Sequence, residues 1–523
     1  MTCATKNKID SNITGLRIAE ESVCIGQLPG EEGNPGVADW ISFDPNSYAE
    51  FGGATTLVAR DPINDSRQFK KGVITDVEAS GGFNMDLTQT NMQDLLQGFF
   101  FADHRVKVEF GGASEITNVD GTGEDYEAAS GLDAFSAGDL VFASGFTELA
   151  NNGLKQVVSA GATSLVVVEN LVDETPPAGA TLVTVGLESA AGDIDVDASG
   201  LLPALTSTIL DFTTLGLTEG EFIFVGGDAA TDKFAINAVN NGFKRIRSIA
   251  ANILTFDKSD SVMITEANAT ETIRLFFGRV LRNEQAALIK RRTYQLERTL
   301  GAPDPALPSE IQSEYLVGSV PNELTINTPT AEKITVDASF VSIDHETRSG
   351  AVGVKAGTRP ALVESDAFNT SSDFTRIRMA SVVPGDEAPT PLFGFITDMT
   401  NVINNNTTID KAVGQVGGFD ASVGNFAVTG SMTAYFTDVA AIATVRNNAD
   451  ITLDWILAKD NSGIVYDLPL ITLGNARANI EKDQAIKLPL EMNAASAAII
   501  DPNLDYTAMF VFFDFLPDAA DTE

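Results

Sequence analysis

The feature that most constrains this chain is a repeat inside it. Asn151-Asn152-Gly153-Leu154-Lys155, followed by Ser159, Ala162 and Leu165, matches Asn240-Asn241-Gly242-Phe243-Lys244, followed by Ser248, Ala251 and Leu254, without a gap. The preceding segments agree as well: Gly138-Asp139-Leu140-Val141-Phe142 stands against Gly220-Glu221-Phe222-Ile223-Phe224, each a turn entering an apolar strand. Asn-Gly favours a tight turn because both central positions tolerate positive φ. Residues 112–272 therefore read as an inserted pair of small β-domains, tandem repeats that face outward.

A looser repetition flanks this region. Phe83, Met85 and Leu87 alternate with Asn84, Asp86 and Thr88, the signature of a half-buried strand. A short helix is expected next, with Asn91 as its cap, Met92, Leu95 and Leu96 on one face, and Gly98 as its stop. Far downstream Phe426, Val428, Met432, Ala434 and Phe436 alternate with polar residues, and a short helix is expected from Thr437-Asp438, carrying Val439 and Ile442. Each copy then continues through a tyrosine and a hairpin: Tyr315 to Phe340 with Lys333-Ile334-Thr335-Val336, and Tyr466 to Ala494 with Lys487-Leu488-Pro489-Leu490. The order points to an ancient duplication, against the alternative that half-buried β-proteins share such patterns in general. The expected division is an N-terminal arm over 1–36, a first module over 37–111 and 273–350, the insert over 112–272, and a second module over 351–523.

Composition supports a mainly β protein. With 523 residues, 44% of them hydrophobic, the chain can bury more than one core. Val, Ile and Thr recur in short runs bounded by Gly, Asn, Asp and Pro. Acidic residues (72) outnumber Lys plus Arg (34), and the net charge of −38 repels phosphate backbones and anionic headgroups. That argues against tight nucleic-acid binding by the whole surface, while leaving room for nucleic acid to pass close by. The two cysteines, Cys3 and Cys24, encode no disulfide framework. No apolar region follows Lys6 and Lys8, and no run approaches the ~20 residues of a membrane helix, so neither signal peptide nor membrane anchor is expected.

Candidate chemistry is sparse. The chain has two histidines, His104 and His345; the second, in Asp344-His345-Glu346, reads as part of an exposed polar loop, not a catalytic base. Asp120-Gly121-Thr122-Gly123-Glu124-Asp125 and Asp193-Ile194-Asp195-Val196-Asp197 space carboxylates as calcium favours, but neither completes a twelve-residue calcium loop, and solvated acidic faces are the expectation. Gly81-Gly82 and Gly226-Gly227 lack the helix and third glycine of a dinucleotide motif. Trp40 and Trp455 read as core or interface anchors. Lys290-Arg291-Arg292, with Arg279, Arg282 and Arg298, suggests an ion-pair seam between subunits, with a DNA path as the alternative. The chain is expected not to be an enzyme: no catalytic, cofactor-binding or metal-ligating residue and no cofactor is assigned.

Several ordered motifs carry a family resemblance. They are Ser80-Gly81-Gly82-Phe83-Asn84-Met85-Asp86-Leu87 with Asp94-Leu95-Leu96, then Arg292-Thr293-Tyr294-Gln295-Leu296-Glu297-Arg298 and Tyr315-Leu316-Val317-Gly318. Further on come Ile403-Asn404-Asn405-Asn406-Thr407, Ala412-Val413-Gly414, the stretch from Phe426 to Asp438, and Tyr466-Asp467-Leu468-Pro469. Together, residues 37–110 and 273–516 resemble the phage tail tube protein family, in the long form of long-tailed phages, with the insert lying outside the family's core pattern. The resemblance implies two related tail-tube-type β-sandwich or barrel modules with short helices. It implies a structural virion protein that polymerises as stacked rings into the tail tube, forming a channel through which phage DNA passes without tight binding. The implied partners are other copies of the chain, the tape measure protein, and tail terminator and tip proteins; assembly in the host bacterial cytoplasm and residence in the virion tail follow. If both modules are tube modules, three chains close a pseudo-six-fold ring, which is the preferred reading; if only one is, a hexameric ring is needed. The alternative function is a virion surface decoration or adhesin that binds host glycans through 112–272.

Overall fold

The computed structural model describes residues 9, 14–22, 24–31, 34–61, 63, 65, 68–112, 115–257, 263–302, 310–363, 365–382, 395–436 and 438–522. Cys3, the stretch 1–8 and Thr437 lie outside them. In chain order, β1 (Gly15–Glu21), β2 (Pro45–Arg60) and β3 (Lys70–Asp86) lead to helix α1 (Gln93–Phe100). The insert begins with β4 (Ile116–Asp120), β5 (Asp125–Ala128), β6 (Asp139–Ser144), β7 (Gly153–Ala160), β8 (Ser164–Val167) and β9 (Thr181–Glu188). It continues with β10 (Asp195–Asp197), β11 (Ala204–Thr206), β12 (Phe222–Val225), β13 (Gly242–Ala250), β14 (Ile253–Phe256) and β15 (Arg274–Phe276). Then come β16 (Thr293–Gly301), β17 (Gln312–Thr328), β18 (Thr335–Ser342) and β19 (Asp344–Ser349). The chain ends with β20 (Phe374–Ser381), β21 (Ile396–Asn404), β22 (Ala427–Tyr435), α2 (Val439–Arg446), β23 (Ile451–Lys459), β24 (Ser462–Gly474), β25 (Lys487–Ala494) and β26 (Met509–Phe513). The protein is mainly β and fits the β-sandwich class, as its composition and alternation predict.

Residue contacts divide the chain into two compact units: 1–102 with 284–370 and 398–432, and 103–283 with 371–397 and 433–523. In the first, β1 pairs antiparallel with β16 from Gly15↔Thr299 to Glu21↔Thr293, and β16 pairs with the first half of β17. The opposite edge of β17 carries β19 and then β18. β18 passes its other edge to β3, from Thr335↔Asp86 to Ser342↔Ala79, and β3 pairs with β2. The alternation read from Phe83 and Met85 holds: both are buried, and Phe83 stacks on Phe340 at 6.1 Å.

The helix expected after β3 forms, with different ends. Met92 occupies the cap position without a side-chain bond, while Asn91 braces the preceding turn, accepting from Thr88 N at 3.1 Å and donating to Asp86 O at 2.7 Å. The helix runs through Gly98 and stops at Phe101, which takes the left-handed conformation (φ 48°). Gly98 serves packing: a Cβ there would lie 2.6 Å from the Tyr294 hydroxyl. Leu95, Leu96, Phe99 and Phe100 are buried, so apolar burial rather than capping fixes this short helix.

In the second unit the two halves of the insert form one sheet whose strand order is β10-β11-β14-β13-β12-β15-β9-β6-β7-β8-β5-β4, with Glu109–Gly111 added beside β9. Read from either end, the strands come in the same order of roles, and the halves meet where β9 and β15 pair antiparallel, Gly186↔Phe276 to Glu188↔Arg274. Each half has its own core, one around Tyr126, Val141 and Leu165, the other around Phe212, Ile223 and Leu254. A third core joins both halves to the C-terminal strands: Leu140, Phe224 and Phe243 pack with Val465, Tyr506 and Phe513.

The strands after the insert repeat the pairing of those before and just after it. β20 pairs with β23, β23 with β24, and β24 with both β25 and β26. These match β1 with β16, β16 with β17, and β17 with β18 and β19. The adjacent pair β21 and β22, followed by α2, likewise matches β2 and β3, followed by α1. In α2 it is Ala441 that is buried, whereas Val439 is exposed.

Candidate assembly surface

The histidine and carboxylates singled out in the sequence sit in strands and turns. His345 lies in β19 opposite Leu316, its Nε2 4.0 Å from a Glu314 oxygen, in a strand and not a loop. Asp193 accepts from Ser207 Oγ (2.5 Å), Thr208 N (3.0 Å) and Ile209 N (3.2 Å); burial pushes its carboxyl up, but these bonds hold it below the usual range. Asp120 caps Thr122 N, Asp125 accepts from Ser164, and Asp197 caps Ser199 N. Among the described residues, no group of three or more His, Cys, Asp or Glu is placed to hold a metal ion. Trp40 and Trp455 are both in cores, 0% and 1% exposed.

The basic run finds its partners within the chain. Arg291 pairs with Asp420 and Arg292 with Glu20, each at 2.6 Å, and Arg298 pairs with Glu314. Arg279 and Arg282 meet Asp514 (2.9 Å) and Asp505 (3.3 Å). Within one chain these cations thus already have carboxylate partners, some remote in sequence, as Glu20 is from Arg292, and some directly across a paired strand, as Glu314 is from Arg298.

The two halves of the insert are held by the same knot. Asn151 and Asn240 are both fully buried at the end of a short 3-10 turn, and the glycine two positions later has φ 92° in each. Asn151 donates to Val172 O and Glu174 Oε2 and accepts from Val172 N; Asn240 donates to Ile264 O and Glu266 Oε2 and accepts from Ile264 N. Glu174 also accepts from Thr147 N and Glu148 N, and Glu266 from Ile236 N and Asn237 N. The two glutamates escape sequence reading because they lie far from the Asn-Asn-Gly turn in a chain rich in acids.

One residue breaks the likeness. Arg245 of β13, 2% exposed, bonds Asp467 (2.8 Å) and Thr452 (3.1 Å) through Nη1 and Asp257 (2.8 Å) through Nη2. Tyr506 donates to the other Asp467 oxygen at 2.7 Å. Burial opposes charge on the guanidinium, but Asp467 and Asp257 hold it firmly protonated. Residues 467 and 452 belong to β24 and β23, so Arg245 fastens the insert to the C-terminal strands.

Edges decide what a β-protein of this kind can join. Among the described residues β2 pairs with β3 alone, leaving a long outer edge free of strand partners. The far half of this hairpin exposes apolar side chains on both strands: Leu57 (66%), Val58 (50%), Val73 (51%) and Ile74 (56%). In contrast β21 has both edges in use, lying beside β22 and pairing with the second half of β17 from Glu323↔Asn404 to Thr328↔Met399. Asn404 Nδ2 donates to Glu323 Oε2 across this junction at 2.7 Å.

A mainly β chain with two like-paired strand sets and, among the described residues, a long open edge bearing exposed apolar side chains is suited to joining further strands. A scan of family models agrees: the model described as phage tail tube protein matches residues 11–494, and the chain belongs to that family. The matched range includes the insert. A search of curated proteins finds no match. The chain is thus a structural protein of the phage tail tube, a virion component that self-assembles.

Proposed function

We propose that the chain polymerises as stacked rings of three copies, each copy supplying two tube modules, and that the rings enclose the channel through which phage DNA passes. The observation that carries this is the recurrence of one strand-pairing scheme in β1–β3 with β16–β19 and again in β20–β26. Two like modules per chain make three chains sufficient for six positions around an axis. The net charge of −38 supports a wall that lets DNA slide. Assembly in the host cytoplasm around a tape measure protein, with terminator and tip proteins at the ends, completes the reading. Negative-stain microscopy of the concentrated full chain is expected to show rings or tubes with six-fold-like outlines and a true three-fold axis by class averaging. A species that stays monomeric at every concentration and salt overturns it.

A second reading, host-glycan binding by the insert, draws on the apolar residues exposed at both knots, Leu149 (88%) and Ile236 (77%). Retention of full-chain rings on immobilised host polysaccharide, lost on Leu149→Ser with Ile236→Ser, supports it; equal retention by both proteins counts against it.

A further inference from the structure

The turn that enters β12 departs from its twin before β6. Phe212 N bonds to Ala251 O and Leu132 N to Ala162 O, which aligns the two residues; Gly220 follows Phe212 by eight positions, whereas Gly138 follows Leu132 by six. Thr218 and Ser136 hold the same place, each giving its backbone N–H to the carboxylate three residues on. The next residue is Glu219 in the second half and Ala137 in the first.

Glu219 lines a cleft of about 410 Å³, together with Arg105 and Arg282 at the stem of the insert and Asp505 ahead of β26. Arg105 and Arg282 share it because Arg105 exchanges both backbone bonds with Val280 (2.7 and 3.1 Å), two residues before Arg282. Arg282 is fixed by Asp505 at 3.3 Å and by the Tyr506 ring, 5.5 Å from its centroid. Burial and the neighbouring Asp501 push the Glu219 carboxyl up, opposed by Arg282, so these groups act on one another across the cleft. Two cations and two anions thus line it, and Asp501 beside it is paired with Arg247 at 2.5 Å. In a chain of net charge −38 this is a locally balanced site. Thr218 also lines the cleft, and its hydroxyl takes no bond among the described residues.

We propose that this cleft binds a neutral hexose unit of a host surface polysaccharide. Sugar hydroxyls donate and accept at once, so they suit carboxylates and guanidinium groups mixed at short range. Glu219 and Asp505 accept, Arg105 and Arg282 donate, and Thr218 does either. Leu217, Ile249 and Pro502 give the C–H face of a ring an apolar wall. The volume falls within the ~300–1,000 Å³ of small-molecule sites, and charge balance selects neither an anion nor a cation. The proposal rests on the glycan reading of the insert and moves the contact from the tips at Leu149 and Ile236 to the root of the second half. The first half, with Ala137 in place of Glu219, lacks the acceptor.

Saturation-transfer difference NMR of the full chain tests this with the methyl glycosides of glucose, galactose, mannose and N-acetylglucosamine, and with glucuronic acid and glucosamine as charged controls. At least one neutral glycoside is expected to bind in the millimolar range and more tightly than either control. Glu219→Ala should weaken it at least about tenfold and Thr218→Val about threefold. The bound sugar should also slow amide exchange over 213–219 and 502–505. Binding that survives both substitutions, with no new protection at these segments, overturns the cleft; its loss on Leu149→Ser with Ile236→Ser would then leave the glycan reading standing at the tips. Tighter binding of a charged control overturns the neutral ligand. No binding of any simple sugar by the intact chain overturns the cleft, and failure of rings to be retained on host polysaccharide overturns the glycan reading with it.

Discussion

The two halves of the insert have the same strands, the same turn and the same buried asparagine, yet they do different work. At the position after the matched lysine, the first half has Gln156 and the second has Arg245. Gln156 reaches Glu188 within the insert, 2.7 Å away; Arg245 reaches past the insert to Asp467 in β24. A repeated scaffold thus supplies stability twice through Asn151 and Asn240, while attachment to the rest of the unit through a buried ion cluster is the task of one half.

Substitutions can break or sharpen this contrast. The largest effect is expected from Arg245→Gln, which gives the second half the residue of the first and leaves the buried Asp467 and the half-buried Asp257 without their cation. A loss of about 4 kcal/mol in chemical denaturation is expected, against less than about 1 kcal/mol for Gln156→Ala. Equal losses would mean that the two halves are attached in the same way. Next, Asn151→Ala and Asn240→Ala should each lower stability by about 2–3 kcal/mol, because each removes a fully buried amide that holds two backbone groups and a carboxylate. The double variant should be additive within about 0.5 kcal/mol; strong non-additivity would show the knots acting as one.

The pH response separates the halves further. Asp139 and Glu221 occupy matched positions, accepting at 2.8 Å from Ser136 N and Thr218 N respectively. Burial raises Glu221, opposed by Lys107, whose Nζ lies 2.9 Å away. Burial raises Asp139 to about 6 from 3.8, opposed by the Ser136 bond. A carboxyl raised on folding favours the folded state at low pH; that contribution is lost as pH rises from about 4 through about 6. Asp139→Asn should therefore stabilise the chain by about 2 kcal/mol at pH 7 and flatten the stability profile between pH 4 and 6. An unchanged profile, followed by urea midpoints, would rule out Asp139 as its source. The smallest effect is expected at the exposed tips, where Leu149→Ser should shift stability by less than about 0.5 kcal/mol.

Much of this was legible beforehand, for physical reasons that can be named. Alternation around Phe83 and Val428 shows strands because one face is buried, and the Asn-Asn-Gly repeat shows the tandem units because the turn requires a left-handed glycine. The helix ends were misjudged at Asn91 and Gly98, since tertiary packing against Tyr294 overrode local capping signals. The Lys290-Arg291-Arg292 run read as an ion-pair seam between subunits; its partners within the chain, Asp420 and Glu20, were not legible because they are remote in sequence and become neighbours only on folding. Arg245 carried no signal at all: an arginine within Lys244-Arg245-Ile246-Arg247 gives no hint that two carboxylates remote in sequence from this strand or from each other will converge on it.

The reversed strand order of the insert sheet, closed at its centre by β9 and β15, has an evolutionary consequence. In a dimer of identical units, every substitution is made twice, so a large cation that suits one surroundings must be tolerated in the other. Fusion of the two copies into one chain removes that coupling. Each half is then free to change alone, and an arginine can be fixed in one copy while its twin keeps a neutral amide.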